Sequence, residues 1–93
     1  LKLRQYSNEQ GEVLGYMFLC PGCGNHHTPK TLADGKGFTW EFNGSVTSPT
    51  FSPSLLTTDQ GEVCHSFVRQ GNIHFCTDST HRLAGQTIEL PDI

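Results

Sequence analysis

Cys20 and Cys23, in the run Cys20-Pro21-Gly22-Cys23-Gly24, have the residue types and spacing that most directly specify chemistry. Thiolates at this spacing can chelate one ion from a single tight turn. The proline fixes the entry to that turn, and the glycine after the second cysteine lets backbone N–H groups approach the sulfurs. A redox dithiol shares the spacing but normally stands where a strand enters a helix, which lowers the thiolate pKa. The residues that follow, Gly24-Asn25-His26-His27-Thr28-Pro29, are not a helical sequence. The expectation is a structural zinc ion.

Two thiolates leave a tetrahedral site half filled. The candidates to complete it are His26, His27, Cys64, His65, His74, Cys76 and His81. His27 lies close enough to Cys23 to close a local site. Cys64-His65-Ser66 and Asp78-Ser79-Thr80-His81 form a second constellation of imidazoles, a carboxylate and hydroxyls. It has two chemical readings. The groups could finish the metal site with mixed Cys/His ligation, or His65, Asp78 and His81 could serve as acid and base around an open metal position. The bland alternative is a polar turn, with Asp78 capping a helical turn at 79–84. Ser52 and Ser54 lie in a proline-bounded loop with no local base, which argues against a serine nucleophile there.

These groups must be positioned by strands. Leu1–Tyr6 and Val13–Leu19 read as a hairpin around the turn residues Asn8-Glu9-Gln10-Gly11. Cys20–Asn25 is a knuckle, and His27–Gly37 a polar loop. Phe38, Trp40 and Phe42 alternate as one apolar face of a strand and are expected in the core. Pro49 and Pro53 bracket Thr50-Phe51-Ser52, which argues against a central strand there. Ser54–Thr58 is a short strand. Cys64–Arg69 and Asn72–Thr77 form the clearest hairpin, turning at Gln70-Gly71. Pairing Arg69 with Asn72 puts Cys64, Val68, Ile73 and Phe75 on one face and His65, Phe67, His74 and Cys76 on the other. Gln86–Leu90 is a last strand. The class is all-β, one domain over residues 1–93, a sheet or barrel-like fold stapled by a zinc knuckle with at most one short helical turn.

Composition agrees. A chain of 93 residues with 34% hydrophobic content buries a modest core, for which a metal staple is physically useful. Net charge is -3, with 6 Lys and Arg in all and no basic cluster, so capture of nucleic-acid phosphates is not expected. No apolar run approaches the length of a membrane span. Leu1–Tyr6 does not have the pattern of a signal peptide, so a cytoplasmic setting with the 4 cysteines reduced is expected.

Four segments occur in an order that resembles a known family: Trp40-Glu41-Phe42-Asn43-Gly44, Pro49-Thr50-Phe51-Ser52-Pro53-Ser54-Leu55-Leu56, Cys64-His65-Ser66-Phe67-Val68-Arg69 and Thr80-His81-Arg82-Leu83-Ala84-Gly85-Gln86-Thr87. The chain is similar to small phage and prophage proteins classed as a domain of unknown function, some of them labelled "ammonia monooxygenase". That label would require a membrane enzyme. The resemblance implies a zinc-binding phage protein in a bacterial cell. Its ligand candidates are Cys20, Cys23, His27, Cys64, His65 and His81. Three positions depart from the family pattern. Gln70-Gly71 replaces Asp-Gly, Ser79 stands where many members carry Cys, and Cys76 stands where they carry Leu. Cys76 is accordingly expected to be a core substitute. The expected function is an interaction module that binds a host or phage protein, the alternative a small zinc hydrolase using His65, Asp78 and His81.

Overall fold

Gln60-Gly61 and Gln70-Gly71 set the architecture. Both residues of each pair have positive φ, at 51° and 84° and at 49° and 81°. This is the backbone of the two-residue turn whose twist matches antiparallel strands. The first turn joins β5 (Phe51–Asp59) to β6 (Glu62–Arg69), and the second joins β6 to β7 (Asn72–Phe75). In the computed structural model, which describes residues 1–93, these three strands form the centre of a sheet flanked by β4 (Glu41–Phe42) and β8 (Thr87–Glu89). Its order, β4-β5-β6-β7-β8, is an antiparallel meander. A second sheet has the order β1-β2-β3, from β1 (Arg4–Ser7), β2 (Val13–Leu19) and β3 (His26–His27). The fold is all-β, and no helix is long and apolar enough to cross a membrane. Where a helical turn was expected over 79–84 there are only turns, closed by Ala84 N–H to His81 O and Gln86 N–H to Leu83 O.

The core joins the two sheets. Phe18 of β2 stacks near Phe51 of β5, and Leu55, Val68, Ile73, Phe75, Leu83 and Leu90 bury around them with Cys20 and Cys64. The register Arg69↔Asn72, Phe67↔His74 is the expected one, and it buries Cys64, Val68, Ile73 and Phe75 on the inner face. The alternation of β6 therefore sends Cys64 inward and His65 to the opposite, outer face.

Two expectations are corrected. Pro53 does not exclude a strand, because β5 runs through it as an interior strand of the sheet. The β5–β6 register is interrupted between Phe51 and Leu55, and the irregularity takes the proline, which has no N–H to give the ladder. Phe38 is not core. It is 61% exposed, stacked edge-on against the half-buried Trp40, while only Phe42 reaches the Phe51 ring.

Candidate functional site: a Cys/His cluster and a Ser-His-Asp array on opposite faces of one strand

On the inner side, the knuckle is closed by Cys20 N–H to Asn25 O and by Gly24 N–H to Cys20 O. Gly24 takes φ +78°, a conformation that side chains rarely adopt. The backbone N–H groups of Cys23 and Gly22 oppose the rise that burial gives the Cys20 thiol. β3 pairs His27 with Phe18 and turns its ring inward, while β6 brings Cys64 across. The ligand atoms of Cys20, Cys23, His27 and Cys64 all lie within 4.8 Å of one another, forming a plausible metal site.

The spacings within it are informative. Bonds of about 2.3 Å to sulfur and about 2.0 Å to nitrogen at tetrahedral angles put sulfurs about 3.8 Å apart, and sulfur and nitrogen about 3.6 Å apart. Here Cys20 Sγ and Cys64 Sγ are 3.7 Å apart, Cys64 Sγ and His27 Nε2 3.6 Å, and Cys23 Sγ and His27 Nε2 3.4 Å. Three of the six edges among these four atoms thus match those of a tetrahedral site, and all six are under 4.8 Å. Burial pushes the Cys64 thiol well above its ordinary value, and the neighbouring Cys20 adds to the shift. Burial likewise raises Cys20. Burial first, and His81 second, lower His27 and favour the neutral ring that a ligand must be. A cavity of about 450 Å³ opens beside the cluster, with Asp59 and Glu62 on its wall, and offers a cation a path in.

His81 stands behind this set. Its Nε2 lies 3.6 Å from Cys64 Sγ, while its Nδ1 accepts the Leu83 N–H at 3.2 Å. With Nδ1 accepting, a neutral ring carries its proton on Nε2, facing the Cys64 sulfur, and His81 adjoins the cluster without belonging to the four residues whose ligand atoms all lie within 4.8 Å of one another. His26 and His74 are not near the cluster. His26 is exposed, and His74 Nδ1 bonds the Thr87 hydroxyl at 2.6 Å.

On the outer side, His65 is separated from the cluster. Its Nδ1–H donates to the Asp78 carboxylate, 3.0 Å from Oδ2 and 3.1 Å from Oδ1, and its Nε2 lies 3.1 Å from Ser54 Oγ. With Nδ1 protonated against the carboxylate, Nε2 has a free lone pair and accepts the Ser54 O–H. Hydroxyl, imidazole and carboxylate in this order can turn a serine into a nucleophile: the ring takes the hydroxyl proton, and the carboxylate holds the ring's tautomer. The premise that Ser54 has no base near it is therefore corrected. Its base is distant in the chain and adjacent across the β5–β6 ladder, where Leu56 pairs with His65.

The supports are specific. The Trp40 indole N–H donates to Ser54 O at 3.3 Å. The buried Ser79 hydroxyl accepts the His65 N–H and donates to His65 O, both at 3.0 Å, gripping the strand at the imidazole. Next to it, Thr80 N–H bonds Val63 O, and the Thr80 hydroxyl accepts Val63 N–H and bonds Glu62. Ser79 and Thr80 thus lace the segment carrying Asp78 to β6. Cys76 belongs to this face as well. It is half-buried, with its sulfur within 4.8 Å of the ligand atoms of His65 and Asp78, so the core placement expected for it is corrected. Loss of water around the thiol and the Asp78 carboxylate raise its pKa, against an opposing effect of Arg69.

Fold and site together define a small all-β domain with a Cys/His cluster on one side of its central strand and a hydrogen-bonded Ser54–His65–Asp78 array on the other. The sequence matches, over residues 2–76, the model of a family described as bacterial ubiquitination-like system serine protease (BubE), and the chain belongs to that family. The matched region contains the whole Cys/His cluster together with Ser54 and His65. No curated protein and no solved structure matches the chain.

Proposed function

We propose that this chain is a serine hydrolase of peptide or isopeptide bonds, with Ser54 as nucleophile, His65 as general base and Asp78 as the group that orients the base. The observation that carries this is the continuous hydrogen-bonded path from Ser54 Oγ through both ring nitrogens of His65 to Asp78. In the reaction, Ser54 Oγ attacks the carbonyl carbon as its proton passes to His65 Nε2. The imidazolium returns that proton to the leaving amine, and an acyl-Ser54 ester remains. Water, deprotonated by the same nitrogen, then releases the acid and restores the serine. The family description, a serine protease of a bacterial ubiquitination-like system, supports this chemistry, and the substrate proposed from it is the carboxyl-terminal bond of a ubiquitin-like modifier, in a precursor or joined to a target amine.

The metal in the Cys20, Cys23, His27, Cys64 set is proposed to be zinc. Soft thiolates with one imidazole suit it, the spacings fit its bond lengths, and four protein donors leave no position for substrate. Its role is structural. A zinc hydrolase with His65, Asp78 and His81 around one ion is not favoured, since His81 stands against Cys64 while His65 and Asp78 face outward with Ser54. The interaction-module reading rested on a closed, thiolate-rich ion and on a phage origin. The family description names a bacterial system and no phage. A modifier is itself a protein partner, so a binding surface remains part of this reading, in the service of cleavage.

A fluorophosphonate probe tests the proposal without knowledge of the substrate. Covalent labelling at Ser54, abolished in Ser54→Ala and in His65→Ala with folding intact, is the expected result. Absence of labelling in folded, metal-loaded protein would refute it.

A further inference from the structure

Both nitrogens of His65 are engaged, and a third potential ligand lies beside them. Cys76 follows β7, and its N–H donates to His65 O at 2.8 Å, which fixes the two residues side by side on the outer face. A His65 ring nitrogen, the Cys76 sulfur and an Asp78 oxygen lie within 4.8 Å of one another, from residues that are half-buried, half-buried and exposed. This is a second donor set, on the opposite face of β6 from the Cys20, Cys23, His27, Cys64 cluster.

The geometry points to an inhibitory metal site on the catalytic array, in which a borderline-soft divalent cation such as zinc is held by His65, Cys76 and Asp78. One imidazole nitrogen, one thiolate and one carboxylate oxygen are a recognised zinc donor combination, and water fills the remaining position. Side-chain rotations alone bring donors at this spacing onto one ion. On binding, the thiol proton of Cys76 is released to solvent and the ion exchanges its own waters for the three donors. No oxidation or bond cleavage is involved.

Inhibition follows whichever ring nitrogen the ion takes. Bound at Nδ1, it displaces the Asp78 hydrogen bond and leaves the proton of the neutral ring on Nε2, which can no longer accept from Ser54. Bound at Nε2, it occupies the lone pair that serves as base. With three donors on an open sheet face, against four around the largely buried cluster, the second ion is the weaker and more readily removed. Zinc availability would therefore gate the enzyme reversibly while the structural ion stays in place. The metal site stands on its own geometry. Only its inhibitory consequence rests on Ser54, His65 and Asp78 being the reacting groups.

The experiment starts from protein loaded with one metal equivalent per chain and adds zinc chloride, following the rate of fluorophosphonate labelling. Labelling is expected to slow at least tenfold at saturation and to recover with a chelator too weak to strip the first ion. Cys76→Ser and Cys76→Leu should label at the parent rate without added zinc and lose the inhibition. Cobalt chloride gives a readout independent of activity. A second equivalent should bind the parent with a thiolate-to-cobalt absorption band that both variants lack. Labelling that is unchanged or accelerated by zinc, or inhibition that persists undiminished in both variants, would overturn the inference. If Ser54 never labels, the hydrolase reading falls, and the cobalt titration decides the site: a second, Cys76-dependent equivalent sustains it and its absence sinks it.

Discussion

Asp78→Asn isolates the part of the array that a merely structural histidine would not need. The carboxylate accepts from His65 Nδ1–H through both oxygens, at 3.0 and 3.1 Å. An asparagine is nearly isosteric, but its amide nitrogen can donate to Nδ1. That reverses the ring's tautomer and puts a proton where Ser54 must deliver one. In a serine protease whose triad aspartate is buried, this exchange lowers kcat by about 10⁴-fold. The Asp78 side chain is 60% exposed and that of His65 25%, so water screens the pair and can solvate the imidazolium that forms. The loss should be correspondingly smaller, about 10²- to 10³-fold, or about 3–4 kcal/mol of transition-state stabilisation. The rate constant for fluorophosphonate labelling measures it, with Ser54→Ala as the zero and thermal unfolding as the control for folding. Since Asp78 is exposed and bonds only the imidazole, Tm should change by no more than a degree or two. A variant labelling within threefold of the parent would refute the assignment of Asp78, and one that loses labelling only because it unfolds would fail to support it.

Three further outcomes follow from the metal cluster. Cys20→Ser or Cys64→Ser should release the bound metal and lower the unfolding temperature sharply, as should a strong chelator, read by elemental analysis and thermal melts. Gly22→Ala would place a methyl 2.5 Å from His81 Nε2 and 2.8 Å from Phe75 Cζ. Crowding of this kind costs about 1–3 kcal/mol, to be measured by chemical denaturation, and an unchanged midpoint would contradict the packing described. In the metal-free protein, burial raises the Cys64 and Cys20 thiols above their ordinary value of 9.0. The unfolded chain thus loses these protons first as pH rises. Stability of the metal-free form should be complete below about pH 9 and fall progressively above it. Metal-loaded protein should not show this loss, and parallel denaturation curves at pH 7 and 10 make the comparison.

What could be read from the chain follows from how far apart in sequence the cooperating residues lie. The Cys20/Cys23 knuckle is local, and so is the β6–β7 hairpin, whose Gln70-Gly71 turn and alternation fix the register and hence the inward Cys64 and outward His65. From that hairpin the approach of His65 to Asp78 was also foreseeable. Ser54 was not: a short strand over Ser54–Thr58 was expected, but the partner reaches it only through the β5–β6 pairing, and Pro53 hid the continuation of that strand back to Phe51. A proline in a strand is a sound warning where the ladder is regular, and here the ladder is irregular at that point. The signal that could have found Ser54 is the Gln60-Gly61 turn, which carries the same φ signature as Gln70-Gly71 and folds β5 back along β6. Cys76 was assigned to the core on resemblance, although alternation alone already put it beside His65. Phe38, at the end of the aromatic alternation, lies beyond the two paired residues of β4 and packs only on Trp40.

Cys64 and His65 are consecutive residues that face opposite ways, and this couples assembly to competence. An ion held by this cluster would take Cys20, Cys23 and His27 from the first part of the chain and would wait for Cys64, made much later, to complete its shell. Until that ligand arrives, the long intervening loop is open, and only the Gln70-Gly71 turn and the alternation of the hairpin hold the register that turns Cys64 inward. Capture of Cys64 would lock that register, the one in which the His65 imidazole reaches Ser54. On the proposed reading, metallation would thus be a maturation step as well as a staple: a newly made chain would stay inert until an ion is seated.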